Sequence, residues 1–320
     1  MTKLKLAAAV LAAGTLLGAC SGTGQEESGA STETGDLTYA VITHAAAGDT
    51  FWDRVKSGAE RAGDDYGVSV DYSSSNDPAE QSQLIDNAVA KDVDGIVVSM
   101  ANPEGLESSI KKAVAAGVPV VTINSGQESS KAFGAITHIG QSETIAGTET
   151  GEQLKAAGWK NALCVIHEAG NVGHEARCKA AAEALGAKMT NLQVDGTNDA
   201  EVKATIKAKL QSDKTIDGVL TLSGQYGIDA VGAVDEAGSQ AQVATFDITE
   251  DVITAIEDGT ILFAVDQQPY VQGYLGVTTL YLKDINGNDV GGGQPVNSGP
   301  AFVTKENVAQ VAEFAKNGTR

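Results

Sequence analysis

The 320-residue chain is short of basic residues: 22 Lys and Arg stand against 42 Asp and Glu, for a formal net charge of −20 at pH 7. Nucleic acid demands a basic face, so no nucleic-acid partner is expected; the acidic excess reads as solubility and long-range repulsion. Long apolar runs are also missing. The longest such stretch, residues 6–17, falls below the roughly 20 residues a spanning helix needs. Two His-Glu pairs occur, His167-Glu168 and His174-Glu175, but neither has the His-Glu-x-x-His spacing that sets two imidazoles on one helix face toward an ion. No metal and no cofactor are expected. Cysteine is scarce too, with three residues, Cys20, Cys164 and Cys178.

The first of these cysteines closes an export signal. Lys3 and Lys5 give a short positive region, residues 6–17 are almost wholly apolar, and Leu17-Gly18-Ala19-Cys20 ends the segment with small residues. That ending resembles the lipobox of bacterial lipoproteins, which implies a signal peptide over 1–19 and a lipid anchor on Cys20. The alternative is an ordinary secretory signal with a chance cysteine. Removing 1–19 takes away two lysines and no acid, leaving the mature chain near −22. Residues 21–36 are Ser, Gly, Thr, Glu and Gln with one alanine and a final aspartate, and hold no large apolar residue to offset the entropy of ordering. Residues 20–36 are therefore expected to be a lipidated tether holding a folded domain at the outer face of the cell membrane.

From residue 37 onward, short β-rich runs alternate with amphipathic stretches. Strands are expected at 37–43, 68–72, 95–99 and 119–123. Phe51, Val55, Ala59 and Ala62 form an apolar stripe at helical spacing between the first two. A second helix begins at Asp77, Pro78 and Glu80, read as a cap, a first-turn proline and the reciprocal acid of a capping box, and a third begins at Asn102-Pro103. The alternation then restarts, with strands expected at 162–166, 189–194, 218–222 and 243–246 and helices at 174–184, 200–211, 228–237 and 249–258. Strand-helix alternation of this length means parallel sheets covered on both faces, and two successive runs mean two α/β lobes. The tail is less regular: a strand at 262–265, a helix at 272–282, a Gly/Asn-rich loop over 285–299, a strand at 301–303 and a short helix from Lys305. A signal and tether, rather than a helix-turn-helix module, precede the first lobe, which argues against a DNA-binding regulator.

Five motifs keep their order over some 230 residues: Gly48-Asp49-Thr50-Phe51-Trp52, Asp94-Gly95-Ile96-Val97-Val98-Ser99, Ala116-Gly117-Val118-Pro119-Val120-Val121, Thr245-Phe246-Asp247 and Val265-Asp266-Gln267-Gln268-Pro269. On these the chain resembles the ribose-binding type of periplasmic sugar-binding protein, the receptor of monosaccharide ABC importers. The resemblance implies an α/β fold of two Rossmann-like lobes joined by a three-crossover hinge, the type I periplasmic binding protein fold. It places the crossings near 138–141, 264–267 and 293–296, the N-terminal lobe at 37–139 plus 267–295, and the C-terminal lobe at 140–266 plus 296–320. A monomer that captures a monosaccharide or polyol in the cleft and hands it to a membrane permease is implied. Ligand favours the closed form because only there do both lobes touch it.

The resemblance also assigns residues. Asp49 stands where the family has a polar residue reaching sugar hydroxyls, and Phe51 and Trp52 fall at its aromatic positions, where flat faces cover sugar C–H faces. Two adjacent aromatics are not expected to face inward together on one helix, so one of them calls for a role outside the core. Asn124-Ser125 replaces the family's Asp-Arg pair, removing a paired acceptor and a five-donor fork; this makes ribose less suitable than another sugar or polyol and brings in His44 and Gln127 as replacements. Arg177 matches the family arginine of the second lobe, Asp247 the aspartate accepting from vicinal hydroxyls, and Gln267 the glutamine at a crossover. Gln225 and Tyr226 are further cleft candidates, where the match slips by one residue. His167 and Glu168 are read as ending a strand at the cleft, with Glu175 beside Arg177.

Cys164, in the strand at 162–166, and Cys178, in the helix that follows, are expected to form a disulfide, since a strand and its next helix pack face to face and exported chains permit oxidation. The alternative is two buried thiols acting as small apolar residues. Two further functions stand beside the receptor reading: a binding protein serving a membrane sensor, and a glycosidase using Asp49 and Asp247 as paired carboxylates.

Overall fold

The computed structural model describes residues 37–46 and 48–320. The signal, Cys20 and the tether lie outside the described residues.

The first lobe is built from β1 (Thr38–Thr43), α1 (Thr50–Tyr66), β2 (Ser69–Ser74), α2 (Pro78–Ala90), β3 (Gly95–Ser99), α3 (Pro103–Ala115), β4 (Val120–Ile123), α4 (Gln127–Phe133) and β5 (His138–Gln141). The chain then crosses and repeats the pattern as α5 (Glu143–Ala156), β6 (Asn161–Ile166), α6 (Val172–Leu185), β7 (Lys188–Gln193), α7 (Asp199–Ser212), β8 (Gly218–Thr221), α8 (Gly224–Ala237), β9 (Gln242–Phe246), α9 (Glu250–Asp258) and β10 (Phe263–Asp266). It returns as α10 (Pro269–Asn286) and β11 (Val296–Gly299), crosses again into β12 (Ala301–Thr304), and reaches α11 (Ala312–Lys316).

Each lobe holds one six-stranded sheet, ordered β11-β5-β4-β3-β1-β2 and β12-β10-β9-β8-β6-β7. The central strands β3, β4, β6 and β8 are buried along their whole length, which is what helices on both faces require and why these strands read as continuous apolar runs. Apolar layers lie on either face of each sheet. In the first lobe one layer joins Val41, Val55 and Ile139 to Val277 and Leu280 of α10, and the other joins Ile96 and Val98 to Leu106 and Ile110 of α3. The strand β12 runs antiparallel to β10, whereas β11 is parallel to β5. The direction follows from the path: the chain climbs β11 toward the cleft and enters the second lobe from its cleft end, against the other strands.

Helix starts follow local chemistry. The Asp77 carboxylate accepts from the amides of Ala79 and Glu80 with Pro78 in the first turn, and the Asn102 side chain accepts from Gly105. Glu80 does not close the expected capping box. It accepts from the Ser75 hydroxyl at 2.8 Å, while the Asp77 amide donates to that same hydroxyl oxygen, so the serine preceding the cap takes the role read for the glutamate.

The crossings differ in detail from the expected ones. Gly140 and Gln141 pair with β11 in the first sheet, so the first crossing follows Gln141. The second runs through Gln267 and Gln268, between β10 and α10. The third lies between Gly299 and Ala301, at Pro300, not at 293–296, because residues 296–299 pair with β5 and belong to the first lobe. Part of the segment read as a Gly/Asn loop is thus a strand. An edge strand held by backbone bonds to one neighbour needs no apolar alternation, and Val-Asn-Ser-Gly shows none. The helices α4 and α5 were likewise not among the expected elements. In α5, Gly147 and Gly151 face α6 so closely that a Cβ on Gly151 would lie 2.3 Å from the Ala181 carbonyl oxygen; small residues replaced the apolar stripe that periodicity looks for.

The Cys164–Cys178 disulfide forms, with Cα atoms 5.9 Å apart, tying β6 to α6.

Candidate ligand-binding cleft

In parallel sheets the loops after the strand C-termini gather at one edge, and ligands bind in the crevice outside it. Here both sheets turn that edge toward the cleft. His44 follows β1, Asn124 follows β4, His167 and Glu168 follow β6, Leu222 and Ser223 follow β8, and Asp247 follows β9; all of them line its inner pocket. Asn124 and Asp247 occupy corresponding places in the two lobes, and both have left-handed backbones, with φ of 61° and 66°. Asn and Asp tolerate that conformation better than other non-glycine residues, so the sharp turn that aims each side chain into the cleft also selects its residue type.

Gln267, in the second crossing, holds the centre together. Its amide nitrogen donates to Asp247 Oδ1 at 2.6 Å, and its oxygen accepts from an Arg177 terminal nitrogen at 2.7 Å and from Asn124 at 3.5 Å. Those partners fix the amide orientation, because Arg177 can only donate and the Asp247 carboxylate can only accept. Arg177 is buried. Its guanidinium forks onto the Glu143 carboxylate, with one bond at 2.8 Å, and lies over the Phe246 ring at 4.8 Å. Burial opposes its charge, but Glu143, with Asp247 and Glu168 nearby, outweighs burial and holds the pKa above the usual arginine value.

Asp247 is pushed up to about 7, first by burial and then by the charges of Asp49 and Asp266, against the pull of Arg177 and Gln267. Asp49 rises to about 6 for the same leading reason. Its carboxylate also accepts from the Phe51 amide at 2.9 Å, capping α1. One side chain therefore starts the helix and lines the pocket.

Three histidines complete the pocket and are held neutral by burial: His44 near 3, His167 near 4 and His174 well below its usual value, each also disfavoured by the Arg177 charge. The Ser99 hydroxyl oxygen accepts from the His44 amide at 2.9 Å and lies 2.7 Å from His44 Nδ1. The consistent arrangement has Ser99 donating to Nδ1, which leaves Nε2–H facing Glu168, 3.7 Å away and beyond hydrogen-bond distance. The Nδ1 atoms of His167 and His174 are buried with no hydrogen-bond partner in the protein, and the two rings pack at 4.5 Å.

The aromatic pair faces inward together, against the expectation that adjacent aromatics would not, while the role outside the core expected of one of them is open to both. Phe51 and Trp52 are both buried in the first-lobe core and both line the pocket. They sit in the first turn of α1, at the cleft, where one flank meets β1 and β4 and the other is covered across the cleft. Trp52 packs edge-on to His44 at 4.5 Å and to Phe51 at 5.0 Å. Gln225 and Tyr226 lie in an outer chamber rather than the inner pocket, Tyr226 being held by donation to the Gly196 carbonyl at 2.6 Å. Gln127 begins α4 and lines neither cavity. His174 and Ser223 were missed as inner-pocket residues, and Glu143 as the partner of Arg177. His174 stands one turn before Arg177, at i and i+3, a spacing that puts both on one face; Glu143 had no signal once its helix was missed.

The lobes touch across the cleft. The Val172 amide donates to the Ala101 carbonyl at 3.1 Å, and the Ser125 hydroxyl lies 3.4 Å from Asn171 Oδ1. On the hinge side, Arg54 of α1 donates to the Arg320 carbonyl at 2.8 Å while the Arg320 side chain binds Asp266 at 2.6 Å. This is the closed arrangement. The inner pocket retains room for only about 20 Å³, about one water, so admitting a ring requires the lobes to part about the three crossings and close again upon it. Among the described residues no group of three or more His, Cys, Asp and Glu is placed to hold a metal ion, and no helix is long and apolar enough to cross a membrane.

Two α/β lobes that converge polar side chains on a closable cleft define a bilobal solute-binding protein of type I topology. Residues 39–287 match the family described as a periplasmic binding protein domain, and the chain belongs to that family. A solved carbohydrate transporter from Acidothermus cellulolyticus, in complex with myo-inositol, is 44% identical with a TM-score of 0.88, covering 89% of this chain and 100% of that one. A solute-binding protein from Burkholderia graminis, in complex with D-arabinose, is 25% identical with a TM-score of 0.78, covering 86% and 97%. The fructose import binding protein FruE of Bifidobacterium longum is 25% identical over 288 residues, covering 84% of this chain and 86% of that protein.

Proposed function

We propose that this protein captures a small, neutral, polyhydroxylated ring, a monosaccharide or cyclic polyol, and delivers it to the permease of an ABC importer, with myo-inositol the first ligand to test. The observation that carries the reading is the Asn124–Gln267–Arg177–Asp247 network, in which groups from both lobes and from the hinge meet beside three neutral imidazoles. Hydroxyls both donate and accept, so one ring can satisfy acceptors such as Asp247 and donors such as Arg177 together. The 44% identical relative solved with myo-inositol supports the polyol choice, and the replacement of the ribose-type Asp-Arg pair by Asn124-Ser125 argues against ribose. Lipidation of Cys20 would keep the receptor at the outer face of the membrane, near its permease. Cys20→Ser should release the protein from the membrane fraction; equal retention of both forms would rule the anchor out.

The test of ligand class is a thermal-shift screen over pentoses, hexoses, polyols and inositols. Ligand at about 100 times its dissociation constant should add roughly 2.7 kcal/mol of stability. A midpoint raised by amino acids or peptides and by none of these rings would overturn the assignment.

A further inference from the structure

Outside the inner pocket the cleft continues into a chamber of about 850 Å³, walled by both lobes. His44, Asp49, His167 and Glu168 border both cavities and frame the passage between them. The chamber is not the gap of an open form, because the lobes already meet at its rim: Ala101 and Asn171 line it, and the Val172 amide beside Asn171 is bonded to the Ala101 carbonyl. Its volume lies within the range of complete small-molecule sites, and a single ring with its hydroxyls does not fill it together with the inner pocket. If the lobes part to admit a ring inside, the chamber only grows.

We infer that the cleft is built for a two-ring ligand, with a neutral glycosyl unit in the outer chamber joined to the polyol or sugar ring held inside; this rests on the function proposed above. Charge selects the outer group. Asp49, Glu168, Asp195 and Asp199 line the chamber and among the described residues no Lys or Arg does, so a phosphate or uronate there meets carboxylates without a counter-charge, whereas a neutral sugar can donate to them. Tyr226, buried between the Gly196 carbonyl and the His167 ring at 4.5 Å, supplies a fixed aromatic wall. The link between the rings passes between His44 and Glu168. Their 3.7 Å approach is longer than a hydrogen bond, and the partly exposed Glu168, which accepts from the Asn171 side-chain amide, gives up that bond to let the link pass.

Calorimetry on the full-length protein with myo-inositol, its galactosyl glycoside and myo-inositol 1-phosphate tests this. The glycoside should bind at least as tightly as myo-inositol, and the phosphate at least tenfold more weakly than either. Asn76→Ala, an exposed change on the first-lobe wall of the chamber, should weaken the glycoside severalfold and leave myo-inositol unchanged. Binding of myo-inositol with the glycoside a hundredfold weaker, or with the phosphate preferred, would overturn the two-ring inference and leave the proposed function standing. Binding of none of the three, with the screen also silent, would overturn both.

Discussion

Replacing Asp247 by Asn separates what the cleft does for ligand from what it does for the fold. The backbone at this position has φ of 66°, which Asn adopts nearly as readily as Asp, and the Asn oxygen can still accept from Gln267. What is lost is charge. Burial holds Asp247 at about 7 against a usual value near 3.9. Its folded-state pKa is raised, so its contribution to stability without ligand is full below about pH 4 and is lost as pH rises through about 7. Keeping it ionised at pH 8 costs roughly 4 kcal/mol at the upper limit. The variant should therefore match the parent only below about pH 4 and be equal or better at pH 5 by up to roughly 1.5 kcal/mol, because the unfolded carboxyl is already ionised there. It should be equal or better by more at pH 8, where a gain of even 1 kcal/mol raises the midpoint by about 2 °C. Ligand affinity at pH 8 should fall by roughly 1.5 to 3 kcal/mol, about 10- to 150-fold, because a neutral acceptor replaces a charge-assisted one. Ligand hydroxyls donating to Asp247 favour its ionised form, so parent affinity should decline as pH falls below about 7, and that slope should flatten in the variant. Calorimetry and thermal melts at pH 5, 6.5 and 8 read both quantities. A variant with unchanged affinity and a lower midpoint at pH 8 would refute the reasoning, since Asp247 would then serve the lobe interior and not the ligand.

Arg177→Met should cost up to about 3 to 5 kcal/mol by leaving the largely buried Glu143 carboxylate without its arginine, with only Gln141 still donating to it, and adding Glu143→Gln should restore a large part; an additive loss in chemical denaturation would show that the pair is not coupled. Changing both Cys164 and Cys178 to Ala should lower stability by roughly 3 kcal/mol on the chain-entropy account of a loop of about 15 residues, and unreduced parent protein should take up no alkylating reagent at these two thiols by intact mass. Gly151→Ala brings a Cβ to 2.3 Å from the Ala181 carbonyl, so α5 and α6 must separate and Arg177 with them. Both the melting midpoint and ligand affinity should drop, and a midpoint within 1 °C of the parent would contradict the packing described.

The sequence by itself determined the alternation of strand and helix, the two lobes, and most residues of the inner pocket. The alternation and the lobes rest on local rules: apolar runs such as 95–99 are buried on both faces, and Asp77-Pro78 starts a helix. The pocket residues came from the resemblance to the ribose-binding type, which assigned Asp49, Phe51, Trp52, Arg177, Asp247 and Gln267, with the place of Asp247 after a parallel strand agreeing. The disulfide was legible because Cys164 and Cys178 lie on consecutive elements. What the tertiary structure alone decided is of another kind. The assignment of 296–299 to the first lobe comes from pairing with β5, and edge pairing leaves no mark in Val-Asn-Ser-Gly. Glycines 147 and 151 carry no periodic apolar signal, yet they set how closely α6 approaches. Phe51 and Trp52 are both buried because the second lobe covers what one helix alone would expose. The separation of Gln225 and Tyr226 from the inner pocket, and the recruitment of Glu143 and His174 to hold Arg177 and line the floor, depend on distances between segments far apart in the chain. Local chemistry fixes where a side chain leaves the backbone, and only closure of two lobes upon each other fixes what it meets.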